Sequence, residues 1–218
     1  MYRRAEHFNW ANRSNKPNQT RSREPKRDKE DEFFARTLAT DAAISACVTQ
    51  IRAADNESGE RRFPSAPGSA TWRPSVIEVR TLFAIAGGVN GYANIAHGGF
   101  VASILDEVMG ILISTNKDRY EETVARTVTN GSTTPAQQKP PRLTTVTAEL
   151  NVKYRKPVFT GGVVLVRAWF GKVQGPKLVV QATIEDADGR VLSEGTGLFV
   201  GLDSMRSHIF RGSWEAKI

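Results

Sequence analysis

Apolar positions along the chain fall into three rhythms. Between Asp31 and Ala54, Phe33, Phe34 and Leu38, then Ile44, Cys47, Val48 and Ile51, recur at intervals of three and four, the spacing of one helical face. This spacing predicts a helical lead-in with a short break, where Thr40 or Asp41 caps the second segment. Val76 to Ala84 mixes β-branched and aromatic residues and reads as a strand. From about Gly99 to Thr115, Phe100, Ile104, Leu105, Val108, Met109, Ile111 and Leu112 cover more than half of a helical wheel, which marks a central, buried helix. Beyond a polar, Pro-containing insert at Asn116 to Arg142 the period drops to two. Strands are predicted at Leu143–Arg155, Val163–Lys172, Leu178–Asp186 and Val191–Leu202, with turns at Gly161-Gly162, Gly175-Pro176 and Asp188-Gly189; the last is a strong hairpin signal. A strand, a long apolar helix and then consecutive hairpin strands make an α+β layout in which an antiparallel sheet wraps one helix, with an N-terminal helical extension.

The intervening segments set the domain organisation. Arg3 to Glu30 is rich in Arg, Lys, Asn, Ser and Pro and nearly devoid of aliphatic residues, so burial does not offset its ordering entropy. The expected division is a disordered basic tail at 1–30, a helical lead-in and linker at 31–74, one domain at 75–202, and a C-terminal tail at 203–218. Glu6, Glu24 and Asp28 interrupt the basic tail where a transit peptide would be poor in acids, and the tail lacks the apolar h-region of a secretory signal. A cytoplasmic location is expected, with a mitochondrial one left open. The longest apolar run, Ile104 to Ile113, contains Asp106 and Glu107 and falls short of the roughly 20 residues of a transmembrane helix, so no membrane span is expected.

Composition adds exclusions. The 218 residues are 39% hydrophobic and 24% charged, the proportions of a globular domain with loose ends. Cys47 is the single cysteine and lies on the apolar stripe, where a buried structural thiol is expected. With only His7, His97 and His208 beside it, no metal-binding pattern is formed. The net charge of +7 invites a nucleic-acid reading, but it is unevenly placed: +5 in residues 1–30, −2 in 31–141, +4 in 142–190 and zero thereafter. Nucleic-acid binding is not expected of the folded domain; Tyr2, Phe8 and Trp10 among the tail arginines leave an RNA or anionic-surface contact as an alternative role for the tail.

Candidate chemistry gathers on the apolar helix. Its remaining strip carries Gly99, Ser103, Asp106, Glu107, Gly110 and Ser114. A carboxylate at the edge of such a strip, beside apolar neighbours, is costly unless hydrogen-bonded or used; the alternative is that Asp106 and Glu107 mark a solvated side. Gly98 and Gly99 open the helix with uncovered backbone N–H groups at the positive end of its dipole, a place for a developing oxyanion.

The run His97-Gly98-Gly99-Phe100-Val101-Ala102-Ser103-Ile104-Leu105-Asp106-Glu107-Val108-Met109-Gly110 resembles the HGG...xDE..G segment of the PaaI-like acyl-CoA thioesterases, which have the hot-dog fold. Thr147-Ala148-Glu149-Leu150-Asn151-Val152-Lys153-Tyr154-Arg155-Lys156-Pro157 is similar to the family strand T-A-x-L-N-x-x-Y-x-x-P. The resemblance covers roughly Val76 to Leu202. It implies an acyl-CoA thioester hydrolase of fatty-acid type metabolism, with Asp106 as general base or nucleophile and the Gly98 N–H as oxyanion donor. It further implies His97 in a structural or polarising role, and Thr147, supplied by a partner subunit's strand, as the group that positions water. Simple alternation puts Thr147 on one face with Thr145, Glu149 and Asn151. Asn94, with Asn90 as the alternative, is the implied contact to the thioester. Sites of this family lie between subunits, so a homodimer or homotetramer is implied. Coenzyme A enters as part of the substrate, with Arg155, Lys156 and Gly99 as first candidates to hold it and Lys172 and Lys177 next; no metal or other cofactor is implied. The competing readings are a hot-dog enoyl-CoA hydratase and a non-enzymatic acyl-CoA-binding protein.

Overall fold

The computed structural model describes residues 25, 27, 31–54, 74–129, 144–174 and 177–201. Within them, strands β1 (Ile44–Ala53), β2 (Val76–Ile85), β5 (Thr145–Tyr154), β6 (Gly162–Gln174), β7 (Lys177–Glu185) and β8 (Val191–Gly201) form one antiparallel sheet in the order β1-β2-β6-β7-β8-β5. A small hairpin of β3 (Asn90–Tyr92) and β4 (Ile95–Ala96) leads into a single long helix, α1 (Gly98–Thr129). The helix packs along the concave face of the sheet, touching β2, β5, β6, β7 and β8, which is the hot-dog arrangement.

The core follows from the two periodicities expected of the sequence. Ile104, Leu105, Val108, Met109 and Leu112 of α1 are fully buried, and they meet Val79, Phe83, Val166, Leu178, Val180 and Ile184 from alternate positions of the strands. Close approach of helix and sheet depends on β8: a Cβ at Gly195 would stand 2.9 Å from Met109 Cε, and one at Gly197 would stand 2.8 Å from Met109 Sδ. The glycines of Glu194-Gly195-Thr196-Gly197 are therefore the holes that α1 fills. Gly98–Arg126 is long and apolar enough to cross a membrane, yet its apolar side chains are those buried under the sheet; it is the core helix.

Three expectations are corrected. The lead-in is helical only over a five-residue π-helical turn, Phe33–Thr37; Ile44–Ala53 is edge strand β1, paired antiparallel with β2 from Ile44 to Ala53. Ile44, Cys47, Val48 and Ile51 satisfy a helical spacing, but the adjacent edge of β2 offers a backbone ladder and a core face to the β-branched residues among them. Second, the insert expected from Asn116 is helical as far as Thr129. Asn116 itself is buried: its Oδ1 accepts from the Val76 N–H at 3.0 Å, and its Nδ2 donates to the carbonyls of Val76 and Leu112 at 3.0 and 2.9 Å. It is a polar staple between α1 and β2, serving backbone groups that would otherwise be buried unpaired. Third, the face assigned to Thr147 changes, as described below. The four late strands end within two residues of expectation. The expected tails, the 55–73 linker, the Gly175-Pro176 turn and residues 130–143 lie outside the described residues.

Candidate active site

The site begins where α1 begins. His97 precedes the helix and its Nδ1 accepts a hydrogen bond from the Gly99 N–H at 2.9 Å. The imidazole thus does the work of an N-cap side chain, satisfying one of the donors that a helix start leaves open. With Nδ1 as acceptor, the ring proton of neutral His97 sits on Nε2. Gly99 must be small for this: a Cβ there would lie 3.0 Å from His97 Nδ1. The capping bond also separates the two glycines. Gly99 has committed its N–H, whereas the Gly98 N–H makes no hydrogen bond among the described residues. The Gly98 carbonyl accepts from the Tyr154 hydroxyl at 3.0 Å, so β5 holds the peptide at the helix mouth.

Two turns along α1, the Thr147 hydroxyl donates to Asp106 Oδ1 at 2.8 Å. Thr147 reaches Asp106 because β5 carries a bulge. The pairing with β8 runs Thr147 to Phe199, then Glu149 to Leu198 and Leu150 to Gly197, leaving Ala148 unmatched. The extra residue reverses the alternation. Thr147 shares the helix-facing side with Leu150, Val152 and Tyr154, and Glu149 and Asn151 turn to the outer face, contrary to the alternation expected of an unbroken strand. The hydroxyl also comes from Asp106's own chain, where a partner's strand was expected. Burial pushes the Asp106 carboxyl above its ordinary range, and the Thr147 hydrogen bond opposes this without cancelling it.

A cleft of about 340 Å³ opens at the Gly98 end, with Ile95, Val101, Val158 and Tyr154 along its walls and Arg155 and Lys156 at its rim. Arg155 is paired with Glu194 at 2.7 Å, a bond that raises the arginine and lowers the glutamate from their ordinary ranges. The fold thus brings Gly98, Arg155 and Lys156 to one opening. Lys172 and Lys177 flank the β6–β7 turn, and Lys177 pairs with Val200, towards the Thr145 end of the neighbouring edge and away from Arg155. Asn94 occupies the tip of the β3–β4 hairpin with a φ of 60°, a left-handed conformation that asparagine tolerates, and its carbonyl accepts from the Thr160 N–H. Asn90 accepts from the Thr160 hydroxyl at 2.7 Å. Both asparagines therefore tie the hairpin to the loop before β6. Tyr154 carries no chemical signal of its own in the sequence, although counting on by twos from Leu150 and Val152 puts it on the helix face. Among the described residues no cluster of His, Cys, Asp and Glu could hold a metal ion.

The arrangement offers a desolvated carboxylate with a hydroxyl donor beside it and, at the helix mouth, a backbone N–H aimed at positive-dipole space. Residues 93–193 match the family model of the thioesterase superfamily. The chain is 32% identical to the acyl-coenzyme A thioesterase THEM4 of Mus musculus over 130 residues, 58% of this chain and 45% of that protein. It is 26% identical over 166 residues to verlamelin biosynthesis protein B of Lecanicillium sp., covering 72% of this chain and 67% of that one. Among solved structures, smu.793 from Streptococcus mutans UA159 bound to acetyl CoA aligns with a TM-score of 0.43 at 14% identity, over 66% of this chain and 95% of that one. The chain spans just under half the length of the THEM4 proteins it matches. Residues 93–193, the stretch that matches the thioesterase superfamily, carry both the helix mouth and the acid–hydroxyl pair.

Proposed function

We propose that this protein is an acyl-CoA thioesterase of PaaI-like type, hydrolysing R-CO-S-CoA to the free acid and coenzyme A. The observation that carries the reading is the Thr147–Asp106 hydrogen bond beside a carboxyl whose pKa burial has raised. A carboxylate so placed takes a proton from water readily, and the threonine hydroxyl orients both partners. In the general-base route, water adds to the thioester carbonyl as Asp106 accepts its proton; the Gly98 N–H donates to the oxyanion, and the thiolate of coenzyme A leaves as the intermediate collapses. In the alternative route Asp106 attacks the carbonyl first and expels the coenzyme A thiolate, and water then hydrolyses the mixed anhydride to the free acid and regenerated Asp106. The names of the THEM4 relatives support the substrate class.

Helix geometry supports assembly. Gly98 and Asp106 are eight residues apart on α1, about 12 Å along its axis, too far for both to serve one carbonyl comfortably. The site is completed when the Gly98 of one subunit faces the Asp106 and Thr147 of another. β5 is the sheet edge that carries Thr147: Thr147, Ala148, Glu149, Asn151, Lys153 and Tyr154 are exposed along it, and an exposed strand edge is a template for pairing with a second copy. Arg155 and Lys156 supply cations for the phosphates of coenzyme A.

The test is a panel of acyl-CoA thioesters with a thiol reagent, run on the wild type and Asp106→Asn. Thiol release by the wild type and its loss in the variant are expected. No release from any chain length, or full activity in the variant, removes the reading.

A further inference from the structure

The cleft at the helix mouth contains a polar group that neither the fold nor the chemistry above employs. Ser193 of β8 is fully buried, with 0% of its surface exposed, and it lines the cleft together with Gly98, Tyr154 and Lys156. Its Oγ has no hydrogen-bond partner among the described residues. Its neighbours in the sheet are Tyr154 on β5 and Ile184 on β7, and the Tyr154 hydroxyl is already committed to the Gly98 carbonyl. A buried, unpaired hydroxyl works against stability, and an alanine would pack there without that cost. A serine in such a place is explained when something entering the cleft completes its hydrogen bonds.

We propose that Ser193 is a substrate-positioning residue whose hydroxyl hydrogen-bonds an amide of the pantetheine arm of coenzyme A. The inference rests on the thioesterase reading, and the order of groups along the cleft carries it further. Gly98 marks where the thioester carbonyl is held, and Arg155 and Lys156 mark where phosphates are held. The stretch of an acyl-CoA that joins those two points is the pantetheine arm, a chain of methylenes interrupted by two amides. Ile95, Val101 and Val158 suit the methylenes, and a serine hydroxyl, donor and acceptor at once, suits either side of an amide. A saturated acyl chain in the same space would leave Ser193 unpaired, so it fits less well.

The experiment compares the full-length wild type with Ser193→Ala by isothermal titration, using coenzyme A and adenosine 3′,5′-bisphosphate, which lacks the pantetheine arm. Ser193→Ala is expected to weaken coenzyme A about five- to tenfold, the effect of losing one hydrogen bond, and to leave the bisphosphate unchanged. Thermal unfolding of the same variant is expected at an equal or higher temperature, because its buried hydroxyl is gone; a residue needed only for structure would move the other way. Unchanged affinity for coenzyme A, an equal loss on both ligands, or a wild type that fails to bind coenzyme A overturns the assignment. A wild type that binds coenzyme A but releases thiol from no thioester overturns the hydrolase reading alone, and the Ser193 contact is still decided by the two titrations.

Discussion

Thr147 and Asp106 lie 41 residues apart in sequence and 2.8 Å apart in space, hydroxyl to carboxylate, across the seam between β5 and α1. The bond favours the ionised acid, while burial disfavours it and prevails. Removing the hydroxyl in Thr147→Val therefore raises the Asp106 pKa further. Because the base form is the active one, the acidic limb of kcat/KM against pH is expected to move to higher pH in Thr147→Val and to stay near the wild-type position in Thr147→Ser. A pH–rate profile of the three proteins checks this; an unmoved limb in the valine variant means that Thr147 does not act through Asp106.

Asp106→Asn is expected to lower kcat by about 10²–10⁴-fold, the range for loss of a positioned proton acceptor, without loss of fold. Its stability should also respond to pH. In the wild type the folded pKa lies above the ordinary 3.8, so between 3.8 and the folded value the native state keeps a proton that the unfolded chain has released. Stability falls as pH rises through that window, and the asparagine variant loses this contribution. Urea unfolding at a series of acidic pH values measures the difference.

Gly98 offers a test of the oxyanion donor that spares the helix. Proline is accepted at a first helical position, and Gly98→Pro deletes the N–H; Gly98→Ala keeps it, and its Cβ would meet the Tyr154 ring at an ordinary 3.6 Å. A fall in kcat of about 10²–10³-fold is expected for proline, and near wild-type activity for alanine. In a two-subunit site, mixing inactive Gly98→Pro with inactive Asp106→Asn rebuilds one intact site per mixed dimer, so subunit exchange restores about a quarter of wild-type activity. No recovery after demonstrated exchange would place both groups in one chain's site.

On the outer face of the sheet, Glu78 is 3% exposed and receives Arg52, Arg80 and Arg167 at 3.0, 2.9 and 2.8 Å. Burial pushes its carboxyl up, but the hydrogen bonds and charges of Arg80 and Arg167 outweigh this and hold it below the ordinary 4.5. The network contributes stability above that pH and loses it as pH falls through the lowered value. Glu78→Gln leaves three arginines facing one another and is expected to cost about 2–3 kcal/mol at neutral pH, measured by denaturant unfolding. Activity per folded molecule should be unchanged.

Asn116→Ala leaves the Val76 N–H and carbonyl buried without partners and is expected to cost about 2–4 kcal/mol. The same unfolding measurement applies. A cost below half a kcal/mol would mean that α1 and β2 are held together by apolar packing alone.

Elements whose own side chains set their pattern were legible from the residues. The core helix announced itself because Phe100 to Leu112 is apolar round most of its circumference, and the late strands because a period of two is hard to mistake over ten residues. Asp106, Gly98 and His97 stood out because a carboxylate in an apolar helix and a Gly-Gly helix start are unusual in themselves. β1 is not legible in this way because its spacing fits both a helix and a strand, and only the neighbouring edge of β2 selects between them. Asn116 resembles the start of a loop, since a polar residue looks the same in sequence whether it faces water or two buried peptide groups.

The sequence by itself determined the core helix, the late strands and the resemblance to a thioesterase family, and it singled out Asp106, all of which depend on local periodicity or on contiguous motifs. The tertiary structure decided which groups meet. A single unmatched residue, Ala148, turns Thr147 toward Asp106 and Glu149 away from it, and no local pattern reveals such a bulge because it depends on the register of β5 against β8. One imidazole, bonded to the Gly99 N–H, distinguishes two adjacent glycines as cap and donor. Likewise the burial of Ser193 arises from three strands and a helix meeting at one point, a property of the assembled fold that no segment carries alone.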